Sequence, residues 1–341
     1  MSLARMIVDG WSWMVTRRCV EQKFFMRPDR RGVVANTYRY TLAHAAEETK
    51  VQLHAYVAMG NHTHAVVTDP PGAVAAFAGG FHGLFARIMN VHLGRKSNFF
   101  DGSCSYSGLH CVDAEDVLDR MVYVTTNPVA AGLVERPEDW PGAISLPEHF
   151  LEDAPPIVAT RPTDLLRSRG RSEKQTQDAR TRARGHRKPK DPLPDQVVVK
   201  LTIPAAYRYL GRKAFVALYR DRVNVRLEML RDERERRADR KKRRVLGVEA
   251  IFRTLVNDAP KPKTAEQLAA DQQRRLGDGL IPHIACKDTA RRVAHKVGLR
   301  TFWRENRKSY EAFRGGKREE VFPAGTYGMA RFQGVRVADA G

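Results

Sequence analysis

The sequence predicts an α+β domain, a sheet with helices packed on one face, followed by a basic, mainly helical region. Three observations carry this reading. Short runs alternate apolar and polar residues over roughly the first 150 positions. Between them lie runs with apolar residues at helical spacing. The charge then splits the chain in two. Residues 1–155 hold 14 Lys and Arg against 17 Asp and Glu, a net of −3, while residues 156–341 hold 45 against 22, a net of +23.

The elements follow in order. Residues 11–16, WSWMVT, alternate as a strand, with Trp11, Trp13 and Val15 on one face. Residues 36–49 look helical, with Asn36 as the expected N-cap. Residues 51–59 alternate again, Gly60 and Asn61 break the run, and His62–Val67 resume it, which predicts two strands joined by a tight turn. Residues 73–93 place Phe77, Phe81, Leu84, Phe85 and Ile88 at helical spacing across Gly79 and Gly80. A further helix is expected from Asp113, with Asp113 and Glu115 at its positive end and Pro128 kinking or ending it. Residues 154–200 are rich in proline and basic residues and are expected to be a flexible basic linker. Residues 212–246 predict a long charged helix with Phe215, Leu218, Val225 and Met229 as a thin apolar stripe, and helical spacing returns over 288–314. The expected division is therefore 1–153, the α+β domain, 154–200, the linker, and 201–341, the basic, mainly helical region.

The basic half points to a polyanion, most simply nucleic acid. Its basic runs lack a Trp/Phe/Leu-rich opposite face, so a membrane surface is not expected. Four cysteines without a CxxC pair do not make a disulfide scaffold. No signal peptide is read at the N-terminus, and a cytoplasmic, nucleoid-associated location is expected.

The chemistry-bearing residues cluster in two segments. His62 and His64 stand two apart in a strand, so both imidazoles leave the same face and form a half-site for a divalent metal. Polar Asn-His-Thr-His lies between two apolar strand segments, which stability alone does not explain. In RMVYVTTNPVAAGLV, Tyr123 and Asn127 are spaced i, i+4 and share a helix face. A tyrosine and a neutral oxygen ligand there could complete the histidine site.

MGNHTHAVV resembles the His-x-His signature of HUH nucleases, and YVTTNPVAAGLVERPEDWPGAIS resembles the tyrosine helix of single-tyrosine HUH transposases, above all the REP-associated tyrosine transposases. TRRCVEQKFF and ARIMNVHLGRKSNFFDG are similar as well, so the resemblance spans roughly residues 11–146. It implies a ferredoxin/RRM-like antiparallel sheet. It implies Tyr123 as nucleophile, forming a 5′-phosphotyrosine, and Mg²⁺ or Mn²⁺ held by His62, His64 and Asn127. Imidazoles alone would equally suit Zn²⁺. The implied substrate is single-stranded, hairpin-bearing DNA, cut and rejoined in transposition; Arg17, Arg18, Lys23 and Arg120 are candidate DNA contacts. A homodimer is compatible with it, and the tyrosine could serve either subunit. Ala130 stands where the family commonly has Arg, and FFDGSCSY where it carries Trp and Arg. A non-cutting DNA-binding protein and a replication- or conjugation-type HUH nuclease therefore stay open as alternatives. No cysteine pair has zinc-finger spacing, which disfavours a structural zinc protein.

Overall fold

The computed structural model describes residues 4–70, 72–103, 105–163, 193–237 and 244–339. The first half runs β1 (Trp11–Arg18), α1 (Val33–Thr49), β2 (Gln52–Ala58), β3 (His62–Asp69), α2 (Val74–His92), β4 (Ser107–Cys111) and α3 (Ala114–Ala130). Strands β2-β3-β1-β4 lie side by side, all antiparallel. A βαββαβ chain in this strand order is the ferredoxin-like arrangement. The β2–β3 turn is tight as expected, closed by Met59 N–H donating to the His62 carbonyl at 2.9 Å. Gly60 lies close against the Phe24 ring there: a Cβ would stand 3.1 Å from it, so the ring would have to give way.

Period two splits the strand residues between two cores. Trp13, Val15, Tyr56, Ala65 and Val67 pack under α1 and α2. Met14, Ala55, Val57, Val66 and Leu109 face α3. The expected single helical face is therefore corrected: helices cover both faces, and the tyrosine helix lies alone of the first three on the second face. Helix α2 is apolar enough over 19 residues to cross a membrane. Its Phe77, Phe81 and Phe85 are buried in the first core, which accounts for that composition.

Two expected helix ends differ. Helix α1 starts at Val33, and the Asp29 carboxylate accepts from the N–H groups of Val33 and Val34 at 3.1 and 2.8 Å. Asn36 lies inside the helix and brackets the Thr160 backbone, donating to its carbonyl at 2.8 Å and accepting from its N–H at 2.9 Å. Helix α3 runs through Pro128 to Ala130. A proline so near the end removes one hydrogen bond, and buried Val129 and Val134 hold the last turn. At its start, beside the expected Asp113 and Glu115, the Asp116 carboxylate accepts from the Asp113 N–H at 3.0 Å, closing a capping box.

The described ends of 154–200 are strands β5 (Val158–Thr160) and β6 (Gln196–Val198), paired antiparallel. Ala159 and Val197 are buried against the α1 side, and Tyr40 donates to the Pro194 carbonyl at 2.6 Å. Both ends of the expected linker are thus fixed to the first half; its centre, 164–192, lies outside the described residues.

The second half contributes α4 (Gly211–Glu235), α5 (Val248–Arg253), α6 (Ala265–Gly277), β7 (Leu280–Ile281), β8 (Ile284–Ala285), α7 (Thr289–Arg314), β9 (Val321–Phe322), α8 (Gly328–Gln333) and β10 (Arg336–Val337). Helices α4, α6 and α7 are the longest of these elements. The stripe on α4 differs from the expected one: Val225 and Met229 are exposed, while Phe215, Tyr219, Val223, Leu227 and Leu230 are buried on α3. Tyr219 belongs to the dry face because its hydroxyl is satisfied at 2.6 Å by Thr125. Strand β8 adds to β4 in parallel, extending the sheet to six strands.

Candidate active site

Strand β3 delivers His62 and His64 to the α3 face, as their spacing requires. The rings stand 4.9 Å apart, centre to centre, at 79°. His64 meets the Tyr123 ring at 5.4 Å and 76°. Each histidine is anchored through Nδ1. His62 Nδ1–H donates to Asn61 Oδ1 at 2.7 Å, which leaves its Nε2 as a lone pair. His64 Nδ1 is 2.7 Å from Thr16 Oγ1. The opposite nitrogen of His64, Nε2, is buried and has no hydrogen-bond partner among the described residues. Leaving such a group unpaired costs roughly 1–3 kcal/mol.

Burial, then the Arg18 charge, lowers the pKa of His62 to about 4. Burial also drives His64 well down, assisted by His62, Arg18 and Arg120. Both imidazoles are therefore neutral at pH 7, the state in which they ligate metals. The fit to a divalent cation rests on the orphaned Nε2 and on the fixed Nδ1 contacts, the usual outer support of a histidine ligand.

Helix α3 supplies the other half. Tyr123 is half-buried, and its hydroxyl makes no hydrogen bond among the described residues. Asn127, one turn further, is buried, and its side chain makes no hydrogen bond among them either. Arg120, one turn earlier, is only 8% exposed and lies over the Tyr123 ring at 5.5 Å. Among the described residues no carboxylate lies within ion-pair distance of it. A buried cation without an acidic partner among the described residues, beside a free hydroxyl, has the chemistry to receive an anion.

The remaining expected contacts separate. Arg18 sits opposite His62 in the strand register and on the same face. Arg17 points to the other face, over the Phe100 ring at 5.1 Å, because adjacent strand residues alternate. Lys23 pairs with Glu21 at 2.8 Å and stays outside the histidine cluster. Sequence reading missed Thr16 and Asn61. Asn61 was visible as the neighbour of His62; Thr16 follows only from the β1–β3 register, which pairs it with His64.

Asp113, Asp116 and Cys286 also bring three donor atoms within 4.8 Å of one another. These donors are already engaged. Asp116 accepts from the N–H groups of Asp113 and Lys287 at 3.0 and 3.1 Å, and Asp113 pairs with Arg291. The group clips the second half to the start of α3.

No family model and no curated protein matches the chain. Solved structures do. One is a REP-associated tyrosine transposase bound to a REP hairpin, 17% identical, with 42% of this chain aligned to 81% of that one at a TM-score of 0.33. Another is a candidate transposase from Deinococcus radiodurans R1, 19% identical, with 36% of this chain aligned to 95% of that one at a TM-score of 0.26. The structural neighbours are transposases.

Proposed function

We propose that the protein is a metal-dependent, single-strand DNA nicking and joining enzyme of the tyrosine-transposase kind. The observation that carries this is the bare, buried Nε2 of His64 beside the free hydroxyl of Tyr123, with unpaired Arg120 on the same helix face. The sequence motifs that hold these residues support the same reading.

His62, His64 and Asn127 would hold Mg²⁺ or Mn²⁺, and three neutral ligands leave the ion its full charge for a phosphate. When bound, the cation supplies Lewis-acid polarisation of the scissile phosphate. Tyr123 attacks phosphorus: its Oη–P bond forms, the P–O3′ bond breaks, and the strand leaves with a 3′-hydroxyl. The phenolic proton passes to solvent, and the departing oxygen takes one up. Arg120, a fixed cation, binds the non-bridging oxygens and holds the charge that gathers there. Thr16 and Asn61 keep the imidazoles in register. The phosphotyrosine keeps the energy of the ester, so a second 3′-hydroxyl can reverse the step without a nucleotide cofactor.

The test is to incubate purified protein with hairpin-bearing single strands. With Mn²⁺ a covalent protein–DNA adduct is expected, and with chelator none. Binding without any adduct at any metal concentration would favour the non-cutting DNA-binding reading.

A further inference from the structure

We propose that the exposed face of α7 is the surface that holds the DNA backbone, and that it is registered to the tyrosine helix by an ionic clip. The inference rests on the DNA-processing reading above and specifies which part of the basic half does the holding.

The two long helices of that half use their charge differently. Helix α4 has 25 residues, with seven basic and five acidic side chains. Four of its arginines are spent on the catalytic half: Arg212 with Glu152, Arg220 with Glu148, Arg222 with Glu115 and Arg234 with Glu135. Helix α7 has 26 residues, with eight basic side chains against Glu305 and Glu311. Lys296, Arg300, Arg304, Arg307 and Arg314 are exposed, and none has an ion pair among the described residues. At 3.6 residues per turn these five fall on one side, opposite buried Phe302, Asn306 and Ser309. Lys296 to Arg314 spans about 27 Å at 1.5 Å per residue, with the first three charges about 6 Å apart. Lys296, Arg300, Arg304 and Arg307 follow one another along this side, with exposed Glu311 before Arg314, and a row of such cations fits a continuous polyanion better than it fits isolated anions. The row ends at a surface hollow of about 430 Å³ lined by Arg307, Tyr310, Glu311, Arg314 and Gly315. Tyr310 there gives an aromatic surface beside the cations, a combination suited to nucleic acid.

The position is fixed relative to the candidate nucleophile. The chain entering α7 is clipped to α3: Lys287 pairs with Asp119, its N–H donates to Asp116 at 3.1 Å, and Arg291 pairs with Asp113. Tyr123 follows Asp113 by about 15 Å along α3. Phosphates seated on α7 are thereby held by a helix whose start is tied to the helix that carries Tyr123.

The experiment compares two triple variants of equal charge change in the full chain. One is Arg300→Glu, Arg304→Glu and Arg307→Glu on α7; the other is Lys213→Glu, Arg226→Glu and Arg231→Glu on α4. Affinity for a fluorescent hairpin DNA with a single-stranded flank is titrated against salt, without metal. The α7 variant should lose at least about tenfold in affinity and flatten the log–log salt slope by about 2 to 3. The α4 variant should lose less than about threefold. A milder α7 triple to Gln should fall between wild type and the Glu triple, which guards against misfolding as the cause. Equal losses in both Glu triples, or no loss in the α7 triple, would overturn the proposal. Adduct formation with Mn²⁺ at saturating DNA separates the two claims. If wild type binds through α7 but never forms adduct, the cutting reading fails and this one stands.

Discussion

One β-hairpin carries two kinds of buried histidine. Near its open end, His54 sits at the irregularity between Leu53 and Ala55, fully enclosed, with both nitrogens used. Its Nδ1–H donates to the Thr202 carbonyl at 2.6 Å, and its Nε2 accepts from the Thr68 hydroxyl at 2.7 Å. Near the turn, His64 is almost as buried, yet only Nδ1 has a partner. The first histidine ties the second half to the sheet. The second leaves its Nε2 unpaired among the described residues, in a ring that meets that of Tyr123, at a cost to stability. Neither burial nor an unsatisfied nitrogen is enough to mark a candidate site, since His82 is buried among Phe81 and Phe100 with both nitrogens unpaired among the described residues; what sets His64 apart is that its unpaired nitrogen lies in a cluster with His62 and Tyr123.

Substitutions can break this contrast, in descending order of effect on cutting. His64→Ala should lower the single-turnover rate by more than about a hundredfold, since even outer support of a metal ligand is worth 10–100-fold. Its melting temperature should stay near wild type. Arg120→Met keeps the packing stem and removes the cation; a loss on the order of a hundredfold is expected in rate, with less effect on DNA affinity. Thr16→Val should cost about tenfold by releasing the ring of His64, and Thr16→Ser should restore it. His54→Ala should leave the rate per folded molecule unchanged while lowering unfolding free energy by about 2 kcal/mol, measured by urea titration.

The same histidine predicts a pH dependence. Burial is the main cause that lowers the pKa of His54, to about 4, against an ordinary value of 6.5. Between these values the unfolded chain binds a proton that the folded chain refuses, so stability falls as pH drops from 6.5 toward 4. His110, lowered to about 3 by burial and then by His295, acts in the same direction. Urea midpoints across that range should fall in wild type and fall less steeply in His54→Ala.

Much of the sheet and site was legible because period two is a strict rule. It placed His62 and His64 together and set Trp13 and Val15 on one face. The i, i+4 spacing likewise joined Tyr123 to Asn127. What failed depended on contacts between distant segments. Asn36 has the chemistry of a cap, but Asp29 does that work and Asn36 binds Thr160 instead. Tyr219 was not part of the expected stripe of α4; it lies on the buried face because Thr125 supplies its hydroxyl with a partner. Composition put +23 in the second half, yet could not say which arginines are neutralised by carboxylates of the first. Arg17 and Arg18 look equivalent in sequence and lie on opposite faces of β1.

The most direct test of the central claim is Tyr123→Phe, which removes a single oxygen and keeps the packing. With hairpin-bearing single-stranded DNA and Mn²⁺, the wild type should form a covalent adduct whose modified peptide contains Tyr123. The variant should bind the same DNA with nearly unchanged affinity and form no adduct. Undiminished adduct in Tyr123→Phe, or a wild-type adduct mapped to a different residue, would contradict the account.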